Sequence, residues 1–341
     1  MIEYLKKVGV GKQRSKDLNY KEAYEANTKI LNGEATDVQI GYFWGAMRMK
    51  YETEEELFGF LDSLKEETNI IDSDELCPLD LGISYDGKNR SVHILPASIF
   101  IATGAGAKIV GHGNEKVPSK YGITYHQILN AMGCLNLSNP DEIIKALELS
   151  GFSFYHQKFM NPKLASLLPK RQEFGLRNYL NTVEKLLNPF KTTKIIIGVA
   201  HNPYISKYIQ LSLYSGFKDV FVVKGLEGGI EPFPNRDTKV ITNKIYSLTI
   251  RPKDLKIEAT PISEYLSIEQ NAKLCISILE NQEDNFKNWA LITAGLLLIA
   301  YGTTEDLKQA VDLAEESLKT GAAYESFQIY KSLTNNKRVI I

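Results

Sequence analysis

The sequence predicts an α/β protein in two parts: a small all-helical N-terminal domain and a larger domain with a mainly parallel central sheet flanked by helices. Three observations predict it. Apolar residues recur at helical spacing through the first 70 or so positions. Two continuous apolar runs, KIIIGVAH (194–201) and DVFVVKG (219–225), bracket a helical stretch at 201–217, as strands covered on both faces do. Four helical segments then follow from 263 onward.

Each element has its own signals. YKEAYEANTKILNG (20–33) closes on Gly33, a C-terminal stop. ATDVQIGYFWGAMRMKY (35–51) starts at Thr36 or Asp37, and TEEELFGFLDSLKEET (53–68) spaces Thr53 and Glu56 as a capping box. LCPLDLGIS (76–84) reads as a short strand entering a turn, and SVHILPASIFIATGAGAKIV (91–110) as a helix and then a buried strand. GHGNEKVPSKYG (111–122) reads as a polar loop before the helix ITYHQILNAMG (123–133), and its spacing suggests a phosphate or nucleotide site. VITNKIYSLTIRP (240–252) adds strand material; Ser263 and Thr304 are the expected N-caps of the first and third late helices.

The bulk numbers exclude several classes. Net charge is −1, so no global field favours nucleic acid or membrane. The three cysteines lie far apart without a CxxC pair, which argues against a disulfide framework or a zinc site and fits a reducing cytosol. The longest apolar run, ALITAGLLLIAYG (290–302), is shorter than a membrane span, and the start carries no signal-peptide core. A cytoplasmic protein with no membrane partner is expected.

The near-zero total hides segregation. Eight basic residues lie between Lys158 and Lys194, opposed by Glu173 and Glu184 alone. The N-terminal segment adds Lys6, Lys7, Lys12, Arg14 and Lys16, while acids gather at 52–76. A basic groove on a neutral protein would contact phosphates without regard to sequence and with strong salt dependence.

Longer motifs carry a resemblance. GHGNEKVPSKYGITYHQILNAMG (111–133) is similar to K-H-G-N-R-x-V-S-S-K-x-G-x-x-x-x-L-x-x-x-G, and PKRQEFGLRNYLNTVEKLLNPF (169–190) to P-x-R-x-x-L-G-x-R-T-x-x-N-x-x-G-P-x-x-N-P. Both patterns belong to the anthranilate phosphoribosyltransferases, and the pieces come in the family's order. The resemblance implies a helical domain at 1–74 completed by helices near 165–190, an α/β domain from 75–164 and 192–341, and a homodimer through the helical domain. It also implies a site built from Asp86, Gly87, Lys88, His112, Asn114, Ser119, Lys120 and Arg171, with Mg²⁺ on an Asp-Glu pair.

Against the family pattern the phosphate elements are altered. The turn G-T-G-G-D-G reads GISYDG (82–87), so Ser84 and Tyr85 replace two glycines, and Tyr85 is expected to obstruct a phosphate. N-I-S-T-A-S reads HILPAS (93–98), which removes a hydroxyl pair and, at Pro96, a backbone N–H. The Asp-Glu pair reads Ile230-Glu231, which leaves Glu231 as a weak metal ligand. Several lost donors at a diphosphate make catalysis of the family reaction an unfavoured expectation.

VGVGKQRSKDL, SYDGKNRSVHILP and the run through Asn181, Lys185 and Phe190 resemble instead a side branch of the family that binds nucleic acid. The expected function is therefore binding of DNA or RNA with low sequence specificity and no cofactor, through Lys12, Arg14, Lys163, Lys170, Arg171, Arg177 and Lys185. The alternative is a phosphoribosyltransferase using phosphoribosyl pyrophosphate, Mg²⁺ and an aromatic or other small acceptor.

Overall fold

A computed structural model describes the chain except residue 12, residue 74, residues 245–246, 256–264, residue 284 and 336–341. Its sheet has seven strands in the order β3-β2-β1-β4-β5-β6-β7. These are β1 Leu79–Gly82, β2 Ile109–Gly113, β3 Phe152–His156, β4 Lys194–Gly198, β5 Asp219–Val223, β6 Thr238–Thr242 and β7 Ser247–Ile250. β3 through β5 pair in parallel, and β6 and β7 close the edge antiparallel.

The expected fold class is what the chain adopts. The five parallel strands are buried on both faces, so they read as apolar runs rather than alternating ones. The run at 290–302 is helix Lys287–Tyr301, buried along most of its length against helices Leu95–Gly104 and Leu307–Lys319. Among the described residues no helix is long and apolar enough to cross a membrane.

The helical lobe begins with helix Ile2–Val8, packed on helix Asp37–Lys50, and continues through helices Tyr20–Leu31 and Glu54–Glu66. Asn19–Glu22, Thr36–Gln39 and Thr53–Glu56 form capping boxes, each satisfying otherwise orphaned N–H groups. The lobe is completed by a distant segment. Tyr179 stacks on Phe60 with ring centroids 3.8 Å apart, meets Phe43 edge-on, and donates to Oδ1 of Asn27 at 2.6 Å. The chain thus crosses between lobes three times, and the crossings touch: the N–H of Ile71 donates to Pro189 O at 2.8 Å, and Ser73 Oγ to Phe190 O at 2.7 Å.

Several expectations shift. Gly111–Gly113 is strand, not loop. Gly111 makes room for the hydroxyl of Tyr125, and Tyr85 packs beside Gly113. Helix Pro140–Ser150 and β3 lie where no element was assigned. The third late helix is capped by Asp306, not Thr304, because the Asp306 side chain takes the N–H of Gln309. Ser263 lies outside the described residues; the first late helix starts at Ile268 behind a Ser267–Gln270 capping box.

Candidate functional site

β1 leads through β2 to β3 on one side, and β4 leads to β5 on the other, so strand order reverses between β1 and β4. In open α/β sheets the crevice beyond the carboxyl ends at such a point holds ligands. Here a cleft of about 770 Å³ opens there. The α/β side supplies Ser84–Asp86 after β1, Val199–His201 after β4 and Glu227 after β5; the helical lobe supplies Arg48, Tyr51, Glu52, Arg177, Asn181 and Lys185.

Tyr85 does not stand across the turn. Its side chain is turned inward and buried. The hydroxyl meets Nδ1 of His112 and donates to Glu184 O at 3.1 Å, and burial pushes its pKa up. His112 lies in β2 with Nε2 3.3 Å from Oδ1 of the buried Asp80. The ring therefore fills space beneath the turn, which corrects the expectation of a block at its surface. Gly87 has φ +69°, and a side chain there would meet the backbone of Gly122 at 2.5 Å.

The groups that would face a phosphate already hold a carboxylate. Glu227 accepts from the N–H of Asn89 at 3.1 Å, the N–H of Arg90 at 2.7 Å and Oγ of Ser91 at 3.0 Å. Glu227 has φ +53°, an unusual backbone for a residue with a side chain. Lys120 Nζ donates to Glu227 O at 2.9 Å and to Gly87 O at 3.3 Å.

Glu231 is ion-paired with Lys88, and both are buried. An ammonium so placed takes the position of a positive partner for the one remaining carboxylate. With Ile230 buried beside it, this donor set does not fit Mg²⁺. The expected metal role of Glu231 is corrected on that ground.

The basic run does not form one free surface. Arg171 is 1 % exposed and holds Glu184 with two bonds, 2.6 and 3.0 Å. A guanidinium buried in this way and held on a carboxylate by two hydrogen bonds is not available to a polyanion. Lys163 pairs with Glu67 at 2.7 Å and Lys170 with Asp37, both away from the cleft. Arg177 lines the cleft and donates from Nε to the buried Asp86 at 3.0 Å. Lys185 also lines it, 2 % exposed, with Nζ 4.0 Å from the Tyr208 ring centroid; burial drives its pKa down to about 7. Arg14 is exposed at the far N-terminal segment, and Lys12 lies outside the described residues.

Of the other expected residues, Asn114 donates to Gln157 Oε1 at 2.6 Å and is buried, whereas Ser119 is exposed. Sequence reasoning missed Arg48 and Arg90. Both are exposed on the cleft, from opposite lobes; Arg90 lies within SYDGKNRSVHILP, whereas no local motif marks Arg48.

Comparison with known proteins finds the same two-part organisation. The helical bundle domain of the glycosyl transferase family matches residues 2–67, and the a/b domain of that family matches residues 86–324. An uncharacterized protein of Aquifex aeolicus is 37% identical over 89% of this chain and 94% of its own. The anthranilate phosphoribosyltransferase of the same organism is 29% identical over 94% of this chain and 95% of its own. Anthranilate phosphoribosyltransferase from Saccharomyces cerevisiae in complex with PRPP and Mg superposes with a TM-score of 0.85 at 19% identity, covering 98% of both chains, which shows the shared fold.

Proposed function

Because the chain belongs to the glycosyl transferase family that includes the anthranilate phosphoribosyltransferases, we propose that it is a member whose interlobe cleft binds the phosphate backbone of nucleic acid, with little sequence specificity, rather than transferring a phosphoribosyl group. One observation carries the reading. The cleft presents Arg48, Arg90, Lys120 and Arg177, with Lys185 buried in its wall, while the elements that would hold a magnesium diphosphate are satisfied from within by Glu227 and Lys88. Cations without a built metal site suit a repeating phosphate chain better than a chelated diphosphate. That Aquifex aeolicus keeps a separate anthranilate phosphoribosyltransferase, less similar to this chain than its other relative, fits a divergent role.

The test is a gel-shift salt titration. Arg48→Ala with Arg90→Ala removes two exposed charges, and the slope of log K against log salt should become shallower by about 1.5–2. An unchanged slope would refute the cleft as the interface, and no binding to any DNA or RNA at low salt would refute the function.

We also propose a homodimer through the helical lobe, where Val38, Tyr42 and Met49 share one exposed helix face. A monomer in sedimentation at micromolar concentration would end that part.

A second reading is a phosphoribosyltransferase with an altered acceptor. Its support is the full-length similarity to named enzymes and the retained Asn114, Ser119, Lys120 and Arg171. Calorimetry with phosphoribosyl pyrophosphate and Mg²⁺ separates the two. The first reading expects no saturable heat; clear binding would replace it with the second.

A further inference from the structure

A cluster outside the cleft lining has the composition of a metal centre. Glu115 follows β2, His126 lies on helix Tyr125–Ala131, and His156 ends β3. One donor atom from each comes within 4.8 Å of the other two.

His126 carries the strongest signal. It is 2 % exposed, and its ring stacks on Phe154 with centroids 4.4 Å apart and planes 12° from parallel, so its direction is fixed. Nε2 stands 2.7 Å from Oδ1 of Asn136. An amide oxygen only accepts, so Nε2 bears a proton towards Asn136, a closer contact than the Asn130 amide nitrogen at 3.4 Å, and Nδ1 is left to face Glu115. That buried Nδ1 has no hydrogen-bond partner, yet it lies 3.1 Å from Oε1 of Glu115. With Nε2 protonated, Nδ1 and the carboxylate oxygen need a cation between them, and either a second ring proton or a metal ion fills that place. The arrangement of an imidazole whose far nitrogen is oriented by an amide is the usual support of a metal-ligating histidine.

His156 supplies the third donor. Its Nε2 is 3.8 Å from the same Oε1, and the two imidazole centroids are 5.1 Å apart. At present Nδ1 of His156 accepts the N–H of Lys158 at 3.1 Å. Ligation through Nε2 moves the ring proton to Nδ1 and gives up that capping bond. Glu115 is half-buried, so it can close the remaining gap and leave a fourth position to water.

We propose that Glu115, His126 and His156 form a binding site for a divalent transition metal of the zinc class. Two imidazoles and one carboxylate, with a fourth place open to solvent, match the donor preference of zinc rather than of magnesium or calcium. A bound ion would tie the ends of β2 and β3 to the helix between them.

The experiment uses the full-length chain without a histidine tag, titrated with ZnCl₂ by calorimetry and with CoCl₂ by visible absorption. The expected result is one ion per chain, a tetrahedral cobalt spectrum without a thiolate charge-transfer band, and loss of the Lys158 amide's exchange protection on binding. Glu115→Gln, at a partly exposed position, should weaken affinity about tenfold or more while the fold is retained, and Asn136→Ala should weaken it about 10–100-fold. His126→Ala should abolish binding. No heat and no cobalt spectrum from the wild-type chain would overturn the proposal, leaving a proton between His126 and Glu115. So would equal affinity in Glu115→Gln and His126→Ala, or a thiolate band, which would place the ion on the exposed Cys77 or elsewhere.

Discussion

Arg171→Ala is expected to lower the unfolding free energy by about 3–5 kcal/mol, read as a reduced midpoint in urea at unchanged slope. Arg171 and Glu184 are each 1 % exposed and joined by two hydrogen bonds, so truncating the arginine leaves a carboxylate buried without its counter-charge. The double variant Arg171→Met with Glu184→Leu should recover most of the loss, because an apolar pair of similar volume avoids both desolvation terms. Loss of ligand binding in Arg171→Ala alone would then report unfolding rather than a lost contact. A single variant as stable as the wild type would mean that Glu184 finds another partner and that the pair is not essential to the fold.

Lys185→Met should act in the opposite direction. Lys185 is 2 % exposed and packed on Tyr208, with a pKa of about 7 against 10.5 for a solvated lysine. Above pH 7 the folded chain has released this proton while the unfolded chain keeps it until about 10.5. Between those limits the unfolded state binds more protons, so stability rises with pH by about 1.4 kcal/mol per unit. Below the lower limit both states are charged and the full burial cost remains. The methionine variant removes that cost. It should exceed the wild type by between about 2 and 5 kcal/mol at pH 6, with the gap shrinking towards pH 10. Parallel stability curves across that range would show that Lys185 titrates as a solvated amine. On the proposed nucleic-acid reading, the same neutral-to-charged change should tighten binding in the cleft as pH falls through 7.

The strands legible in the sequence were those whose burial on both faces forced continuous apolar runs, β4 and β5 above all. β2 was read only up to Val110, because Gly111, His112 and Gly113 lack the branched side chains that mark a strand. What the sequence concealed at the site was pairing. Counting charges between 158 and 194 found Arg171, Arg177 and Glu184 but not which of them pair, since Glu184 and Asp86 reach the arginines only in the tertiary fold. Lys88 and Glu231 meet across 143 positions, and Glu227 reaches the backbone of Asn89 across 138. The loss of phosphate-binding residues was visible in GISYDG and HILPAS; the side chains that took over those atoms were not.

The ring of Tyr179, arriving from beyond residue 160 to sit on Phe60 and Phe43, separates two senses of the word module. A polypeptide cut after residue 67 would expose both phenylalanines to water and leave the amide of Asn27 without its phenol partner. The N-terminal fifth is thus a contiguous stretch of sequence but an incomplete thermodynamic unit. Any chimera that exchanges it with a relative must carry the stretch from Asn161 to Leu187 along, or rebuild the aromatic seam between them.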